Sequence, residues 1–331
     1  MTPSIAPFRI RTAVPADGER VAAMCAGLSA AEATGNPSHF TAGIFRRDGF
    51  GPRPAFACLI AERDGQAMGY ALYHDDYDTD RLCRSVYLAD LYVETAARGR
   101  GIGRALMAAV AQTGSRRDAR VMMWSVLKSN LAARRFYTGI GEEIDDQVET
   151  LAAGPQFEAL AAAALPADGV TLRTAAAADC PLLARFLGNM LAEIGLEHAL
   201  EAAARFSADG FGTDPAFTAV IAEHEGVSAG YALFWPTYDT EWAMRGGWLS
   251  DLYMLPQARR HGIARRLMAE VAARTAARGG RYLTWLVHTE NTRARAFYRT
   301  LATEWPDGIP CICAGARFLE LAQSAAAGLG S

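Results

Sequence analysis

The chain has 331 residues, of which 51% are hydrophobic, and its 33 basic and 36 acidic side chains give a net charge of -3. This length can bury two cores of ordinary size, and the balanced charge, without a basic run, does not support a nucleic-acid-binding protein. The opening MTPSIAPFRI lacks the charged end and apolar block of a signal peptide, and no apolar run approaches the ~18 residues that a membrane span needs. We therefore expect a cytoplasmic protein with neither a nucleic-acid nor a membrane partner.

In chain order, the first half predicts the order β-α-β-β-β-α-β-α. Alternating apolar residues indicate strands, the residue pair Asp64 and Gly65 indicates a hairpin, and the stretch 74–84 reads as a polar, acidic connection. The predicted strands are 8–12, 55–62, 69–73, 86–93 and 120–126, and the predicted helices begin at Ala16, at Arg104 and at Asn130. This order is typical of an α/β fold with a mixed sheet and helices on its faces.

The stretch from Asp90 to Met107, D-L-Y-V-E-T-A-A-R-G-R-G-I-G-R-A-L-M, joins a buried strand to an alanine-rich helix through a glycine turn. Gly99, Gly101 and Gly103 free alternate positions of side chains, so successive backbone N–H groups can point at one anion near the positive end of the helix. This pattern predicts a cradle for a pyrophosphate.

The same stretch recurs at an offset of 161 as Asp251 to Met268. The offset also relates D-G-F-G at 48–51 to 209–212, G-Y-A-L at 69–72 to 230–233 and Y-D-T at 77–79 to 238–240, and it pairs the asparagines and tyrosines further on. A repeat this long indicates a duplicated domain, since solenoid repeats span roughly 20 to 50 residues. We predict domains at 1–164 and 165–331, with the junction at Leu165 to Gly169.

The glycine loop has two other interpretations. It could be a plain tight turn, or a weak match to a dinucleotide-binding loop. The spacing is G-x-G-x-G rather than G-x-G-x-x-G, and the next strand, R-V-M-M-W-S-V, ends without an acidic residue to bind a ribose, which disfavours dinucleotide binding.

With these motifs in place, the chain resembles the GCN5-related N-acetyltransferase (GNAT) superfamily. The family's signature of Arg or Gln, two residues, Gly, one residue, then Gly or Ala is met by Arg98, Gly101 and Gly103, and again in the second copy. Each half is most similar to the diamine (spermidine/spermine-type) acetyltransferases. The resemblance implies two tandem acyl-CoA N-acyltransferase domains that form an internal pseudo-dimer, in a chain that can be monomeric.

The resemblance implies acetyl-CoA as the cosubstrate, held between the strand before the loop and the next strand. Backbone groups of these strands would bond the pantetheine, the loop N–H groups the pyrophosphate, and an asparagine the CoA arm. The implied residues in the first copy are Leu91, Tyr92, Val93, Arg98, Gly99, Arg100, Gly101, Ile102, Gly103, Arg104 and Asn130. Those in the second copy are Leu252, Tyr253, Met254, Arg259, Arg260, His261, Gly262, Ile263, Ala264, Arg265 and Asn291.

By the same resemblance, Tyr137 and Tyr298 would give a proton to the leaving thiolate while a primary amine attacks the thioester directly. The groups that could accept the amine proton are Asp90, Asp251, Glu62 and Glu223. The acidic turn at 75–80 is expected at the acceptor cleft of the first copy, and Asp239 and Glu241 at that of the second.

We therefore expect an N-acetyltransferase that acts on a small cationic amine, with Asp78, Asp90, Asp239 and Asp251 as candidate acceptor ligands. The diamine family's Glu-Asp pair is Ala89-Asp90 and Ser250-Asp251 here, so a polyamine acceptor does not follow. A non-catalytic acyl-CoA sensor, one active half beside a degenerate one, and a mycothiol-synthase-like acceptor remain alternatives.

The six cysteines are scattered, with no C-x-x-C and no histidine pair nearby. Zinc sites need clustered ligands, so we expect reduced thiols and no metal.

Overall fold

The computed structural model describes residues 8–32, 38–163, 169–196 and 201–328, with side chains up to residue 325. The expected junction at 165–169 lies outside this description except for Gly169. Within the described residues all six cysteines are free.

The two halves repeat one order of elements. The first half contains β1 (Arg9–Thr12), α1 (Gly18–Glu32), α2 (Ala42–Phe50), β2 (Ala57–Arg63), β3 (Gln66–Asp78), β4 (Cys83–Val93), α3 (Ile102–Ser115), β5 (Val121–Leu127), α4 (Leu131–Thr138), β6 (Glu142–Glu143), β7 (Gln147–Ala153) and α5 (Pro155–Ala161). The second half contains β8 (Val170–Thr174), α6 (Cys180–Glu193), α7 (Ala202–Gly210), β9 (Thr218–His224), β10 (Val227–Asp239), β11 (Met244–Met254), α8 (Ile263–Ala277), β12 (Tyr282–His288), α9 (Thr292–Tyr298), β13 (Thr303–Trp305), β14 (Gly308–Ala314) and α10 (Gly315–Gly328). The predicted elements are present, whereas α2, α5, α7, α10, β6, β7, β13 and β14 were not predicted.

The strands form two mixed seven-stranded sheets that exchange their late strands. The first sheet has the order β1-β2-β3-β4-β5-β14-β6 and the second β13-β7-β12-β11-β10-β9-β8. β14 therefore completes the first sheet, with Val121 paired to Ala314, and β7 completes the second, with Tyr282 paired to Ala153. The following helices go with them, since α10 packs on α3 and α5 packs on α8. The division at 164/165 remains a prediction about the repeat, because each sheet contains residues from both sides of it.

The connection predicted at 74–84 is wrong for its first part, because β3 continues as a strand to Asp78 and pairs there with Cys83. Several of its polar residues, among them Asp76, Asp78 and Thr79, are buried, and the Tyr77 ring lies 5.0 Å from that of Phe217 in the other half, centroid to centroid. β10 extends in the same way to Asp239. Polarity in this stretch reflects partners in the other half, not a solvated loop.

The strand before each glycine loop separates from its parallel neighbour. β4 pairs with β5 only from Ser85 to Tyr87, and β11 with β12 only at Gly247 and Trp248. On its other side β4 has a bulge opposite Leu72 and Tyr73, and β11 has the corresponding irregularity. A bulge bends its strand and increases the twist, so the remaining residues of β4 and β11 diverge from β5 and β12. Each sheet thus has a gap open toward the glycine loop.

Candidate functional site

Each gap ends at the N-terminus of a long helix that has no side-chain cap. Gly101 precedes α3 with φ 79° and Gly262 precedes α8 with φ 71°, and neither helix has an acidic residue in its first turn. A Cβ atom at either glycine would have no heavy atom within 4 Å, so this space is open. Unbonded N–H groups and the helix dipole favour an anion at such an end. The geometry fits the predicted pyrophosphate cradle in both halves.

The second loop reaches the same conformation with a bulkier residue. Arg260 has φ 70° where Gly99 has φ 74°. A non-glycine residue is strained in this region. The loop shape is therefore imposed by the surrounding structure and does not depend on glycine at this position.

The signature arginines brace the loop. The Arg98 Nε donates to the Val93 carbonyl at 2.9 Å, and the Arg259 Nε donates to the Met254 carbonyl at 2.9 Å. The Arg98 guanidinium also lies over the Tyr92 ring, 5.7 Å from its centroid. These contacts tie the start of the loop to the end of the strand, so the side chain acts here as a positioning group.

The other predicted loop residues flank these anchors. Ile102 and Ile263 are buried in the cores, the Arg104 Nη1 donates to the Gly139 carbonyl at 3.2 Å, and the His261 ring lies 4.9 Å from that of His224. A Cβ atom at Gly103 would meet the Phe136 ring at 3.2 Å, so that glycine allows close packing of α4. Arg100, Ala264, Arg265, Leu91 and Leu252 lie on the same loop, helix and strand segments.

The predicted catalytic tyrosines lie on the far side of each gap. The Tyr137 ring is 5.2 Å from that of Trp124, the first residue of β5 beyond its pairing with β4, and Tyr298 lies 5.0 Å from Trp285 in the same way. Neither hydroxyl has a hydrogen-bond partner among the described residues. Burial raises the pKa of both tyrosines, and at Tyr137 the charges of Cys311, Glu32 and Asp90 raise it further. Both hydroxyls are therefore protonated and free to donate at neutral pH.

The paired asparagines cap the helices that carry these tyrosines. The Asn130 Oδ1 accepts a hydrogen bond from the Ala133 N–H at 3.1 Å, and the Asn291 Oδ1 accepts one from the Ala294 N–H at 3.1 Å. This is the ordinary role of asparagine at a helix start. Their predicted contact with CoA stays a prediction.

Two buried aspartates lie on the strand side of the gaps, and each is bonded by a threonine of the other half. Asp90 accepts from Tyr70 at 2.7 Å and from Thr240 at 2.5 Å. Asp251 accepts from Tyr231 at 2.6 Å and from Thr79 at 2.8 Å. Burial raises the pKa of both carboxyls, that of Asp251 to about 6.

The assignment of each acidic turn to its own half is therefore wrong. The turn after Thr79 lies beside Asp251, and the turn after Thr240 lies beside Asp90, because β3 and β10 cross between the halves. Of the first turn's acidic residues, Asp75 is 2.8 Å from Arg117 and Asp76 accepts from the Ser85 hydroxyl at 3.0 Å. Asp78 and Asp239 remain near the sites of the opposite halves.

The motifs D-G-F-G and Y-D-T also meet across the halves. The Tyr238 hydroxyl donates to Asp48 at 3.1 Å, and the Tyr77 hydroxyl donates to Asp209 at 3.3 Å. These motifs hold the halves together, and through the adjacent threonines they place the acidic turns.

Glu62 and Glu223 are poor candidates to accept a proton. Arg11 binds Glu62 at 2.6 Å and Arg9 binds it at 2.7 Å through Nε, while Arg173 binds Glu223 at 2.8 Å. The arginines lower the pKa of Glu62, which keeps it ionised and engaged.

Glu32, at the end of α1, was missed by sequence reasoning. It lies seven residues, or about two turns, after Cys25, so both face the same way. The Cys25 Sγ lies 3.9 Å from Asp90. Burial, followed by the charges of Asp90 and Glu241, raises the pKa of Glu32 to about 7. Burial similarly raises the pKa of Asp239 to about 7. The only sequence signal was a glutamate on the apolar side of α1.

Comparison with known proteins agrees with this geometry. The model of the acetyltransferase (GNAT) family matches residues 28–141 and 187–302. Human spermidine/spermine N(1)-acetyltransferase-like protein 1 is 33% identical over 141 residues, which are 40% of this chain but only 20% of that protein. Mouse thialysine N-epsilon-acetyltransferase is 31% identical over 147 residues, which are 42% of this chain and 86% of that protein.

Among solved structures, a GCN5-related N-acetyltransferase from Sphaerobacter thermophilus matches 92% of this chain and 95% of its own, with TM-score 0.51 and 19% identity. This likeness supports the fold. The two family matches confirm the predicted resemblance and the tandem arrangement. No helix in the described ranges is long and apolar enough to cross a bilayer.

Proposed function

Because the chain belongs to the acetyltransferase (GNAT) family, and so to the N-acetyltransferase class of enzymes, we propose that it transfers an acetyl group from acetyl-CoA to a primary amine of a small cationic acceptor. The amine attacks directly while both substrates are bound. Each half has one such site, completed by the acidic turn of the other half. The proposal rests on an arrangement that recurs in both halves. Each half has a gap between two strands, and the gap ends at a helix without a side-chain cap. A tyrosine hydroxyl without a partner lies on one side of the gap and a buried aspartate on the other.

Acetyl-CoA would supply the activated acetyl group, and the chain's contribution is to hold it. Residues 91–93 of β4 and 252–254 of β11 are unpaired on the side of the gap, so their backbone groups can bond the pantetheine. The N–H groups at 98–104 and 259–265 would bind the pyrophosphate. Asn130 and Asn291 are free to use their amide N–H groups, since only their oxygens serve the helix caps.

Tyr137 and Tyr298 act as general acids. As the new C–N bond forms and the C–S bond breaks, the sulfur needs a proton, and each hydroxyl would donate it. A raised pKa keeps the tyrosine protonated until that moment. The proton of the attacking amine goes to a carboxylate on the acceptor side, directly or through water, and Asp251, whose pKa is about 6, suits this role in the second half.

A cationic acceptor is favoured by the buried carboxylates beside each gap. Asp90, Asp239 and Glu32 surround the first site, and Asp251 and Asp78 lie at the second. Carboxylates crowded in a partly buried cleft gain from a bound cation. The names of the human and mouse relatives, which specify spermidine or spermine and thialysine, agree with an amine that carries further charge.

The test is acetyl-CoA-dependent thiol release across diamines, polyamines, thialysine, aminoglycosides and amino acids, with titration of bound CoA alongside. Tyr137→Phe and Tyr298→Phe should each remove the turnover of one half and leave CoA binding intact. Tyr73→Phe, which removes a buried hydroxyl in the core of the first half, is the matched control.

The outcomes separate the alternatives. CoA binding without turnover on any amine would favour an acyl-CoA sensor. Loss of all turnover in one of the two variants alone would show a single active half. Failure to bind CoA would refute the site itself.

We also propose that the chain acts in the cytoplasm and is a monomer whose two halves form an internal pseudo-dimer. Light scattering of the purified protein tests whether it is a monomer.

A further inference from the structure

The two acceptor sites differ in their charge. We define the first cleft as the space bounded by Asp90, Glu32 and the turn 239–242, and the second cleft as that bounded by Asp251 and the turn 78–81. The strands and turns of the two clefts correspond at an offset of 161, whereas α1 and α6 correspond at an offset of 162, at which their buried faces match. The clefts can therefore be compared residue by residue.

The two turns share a backbone conformation but differ in charge at one position, where Arg81 corresponds to Trp242. The Arg81 N–H donates to Asp78 Oδ1 at 2.7 Å, and the Trp242 N–H donates to Asp239 Oδ1 at 2.7 Å. The next residues, at 82 and 243, both have positive φ, 49° and 52°. In the second cleft the Arg81 Nη1 also binds Asp78 Oδ2 at 2.9 Å. In the first cleft the uncharged Trp242 side chain cannot form an ion pair with Asp239.

Trp242 instead lines the mouth of the first cleft. Its side chain is 47% exposed, and its ring stacks on that of His39 at 5.1 Å and 17°. The His39 N–H donates to the Glu241 carbonyl at 3.1 Å, which fixes this stack beside the turn. An indole face at the mouth of an acidic cleft suits a cation.

The helix ends differ in the same direction. Glu32, at the end of α1, corresponds at the offset of 162 to the uncharged Ile194, which is 39% exposed. Glu193 lies one residue earlier, where it forms an ion pair with Arg259 of the second loop.

Glu32 has no ion pair among the residues that the structure describes. Its pKa near 7 reflects burial and unbalanced negative charge. The second cleft thus neutralises Asp78 and has no carboxylate in the place of Glu32, whereas in the first cleft neither Asp239 nor Glu32 is paired with a cationic side chain of the described residues.

We propose that the first cleft selects an acceptor with a second cationic group, that the second cleft accepts an amine with one charge, and that position 242 or 81 sets this difference. The inference rests on the proposed function for its acceptor chemistry. A second ammonium group gains from Glu32 and Asp239 in the first cleft, whereas in the second Arg81 already pairs with Asp78 and repels it. The chain would then acetylate two classes of amine at two sites.

The experiment measures binding and turnover with two probes that share a three-carbon chain, 1,3-diaminopropane and n-propylamine. Calorimetry on protein saturated with CoA should resolve two classes of site for the diamine, with affinities that differ about three- to fivefold, as expected for one partly exposed charge. Trp242→Arg should weaken the tighter site by that factor, and Arg81→Trp should tighten the weaker one. Trp242→Phe and Arg81→Lys, which keep the charge of each cleft, should change the diamine-to-monoamine ratio less than twofold.

The results test this inference separately from the proposed acetyltransferase function on which it rests. Two classes of diamine site that respond to the swaps, without turnover of any amine, would overturn the enzymatic role and leave the selectivity standing as a binding property. Turnover with equal affinity at both sites, or swaps no different from their controls, would overturn the selectivity alone. Binding of neither amine would overturn both.

Discussion

The hydrogen bond between Thr240 and Asp90 predicts how tightly the halves are coupled. Asp90 is 7% exposed, and its carboxylate is held by Thr240 at 2.5 Å and Tyr70 at 2.7 Å. Thr240→Val keeps the side-chain volume and removes one of these donors. A bond to a buried charged group contributes about 1.5–3 kcal/mol, and the free energy of unfolding should fall by that amount.

The assay is urea unfolding, followed at pH 8 and at pH 5. The pKa of Asp90 is raised by burial and lowered by its Thr240 bond, so losing the bond raises it further. The loss of stability should be larger at pH 8 than at pH 5, because a carboxyl whose pKa the substitution raises binds a proton more readily as the pH falls and then needs one donor fewer.

Thr113→Val is the control. Its hydroxyl donates to the Ala109 carbonyl at 2.9 Å within α3, so its removal involves no carboxylate and should show no dependence on pH. Equal losses in both variants, or the same loss at both pH values, would refute the reasoning. Because the sheets share strands, we also expect a single unfolding transition, and two separated transitions would contradict that coupling.

Further predictions concern a carboxyl, a loop and the exchanged strand. The pKa of Asp251 is about 6, so the native state keeps a proton that the unfolded chain releases near pH 4. This group therefore stabilises the native state fully below about pH 4, and its contribution is lost as the pH rises to about 6. Between these pH values the free energy of unfolding measured in urea should fall by about 1.4 kcal/mol per pH unit, and Asp251→Asn should abolish this dependence. Arg260→Gly relieves a positive φ and should add about 1 kcal/mol, raising Tm by roughly 1–2 °C in calorimetry; an unchanged or lower Tm would count against strain there. In Gly141→Ala the new Cβ would lie 2.3 Å from the Ile312 carbonyl oxygen of β14, costing about 1–3 kcal/mol in urea unfolding, whereas Gly139→Ala meets nothing nearer than 3.9 Å and should be nearly neutral.

The parts of the site that could be predicted are local in sequence. Gly101 and Gly262 mark their turns because only a left-handed residue fits before each helix, and the strand-loop-helix order follows from periodicity. Asn130 could also be expected as a helix cap, which is the role its oxygen has in the structure.

The remaining features could not be predicted, because a repeat satisfies two pairings equally well. β5 could accept β7 or its counterpart β14 by the same alternation of apolar residues, and the sequence pattern does not distinguish them. For the same reason the acidic turns were assigned to the wrong halves. Thr79 and Thr240 both follow a Tyr-Asp pair, and the sequence does not show which half each threonine contacts. Glu32 acquires its environment only when α1 packs on β4 and the other half supplies its turn.

The exchange of β7 and β14 also constrains how the chain can fold as it is made. Val121 pairs with Ala314, so the first sheet stays incomplete until β14 has been synthesised. Such distant pairings slow folding and leave strand edges exposed in the meantime. The gap beside β5 would then take its final shape only after β14 has emerged from the ribosome, and the nascent first half would be unable to act alone.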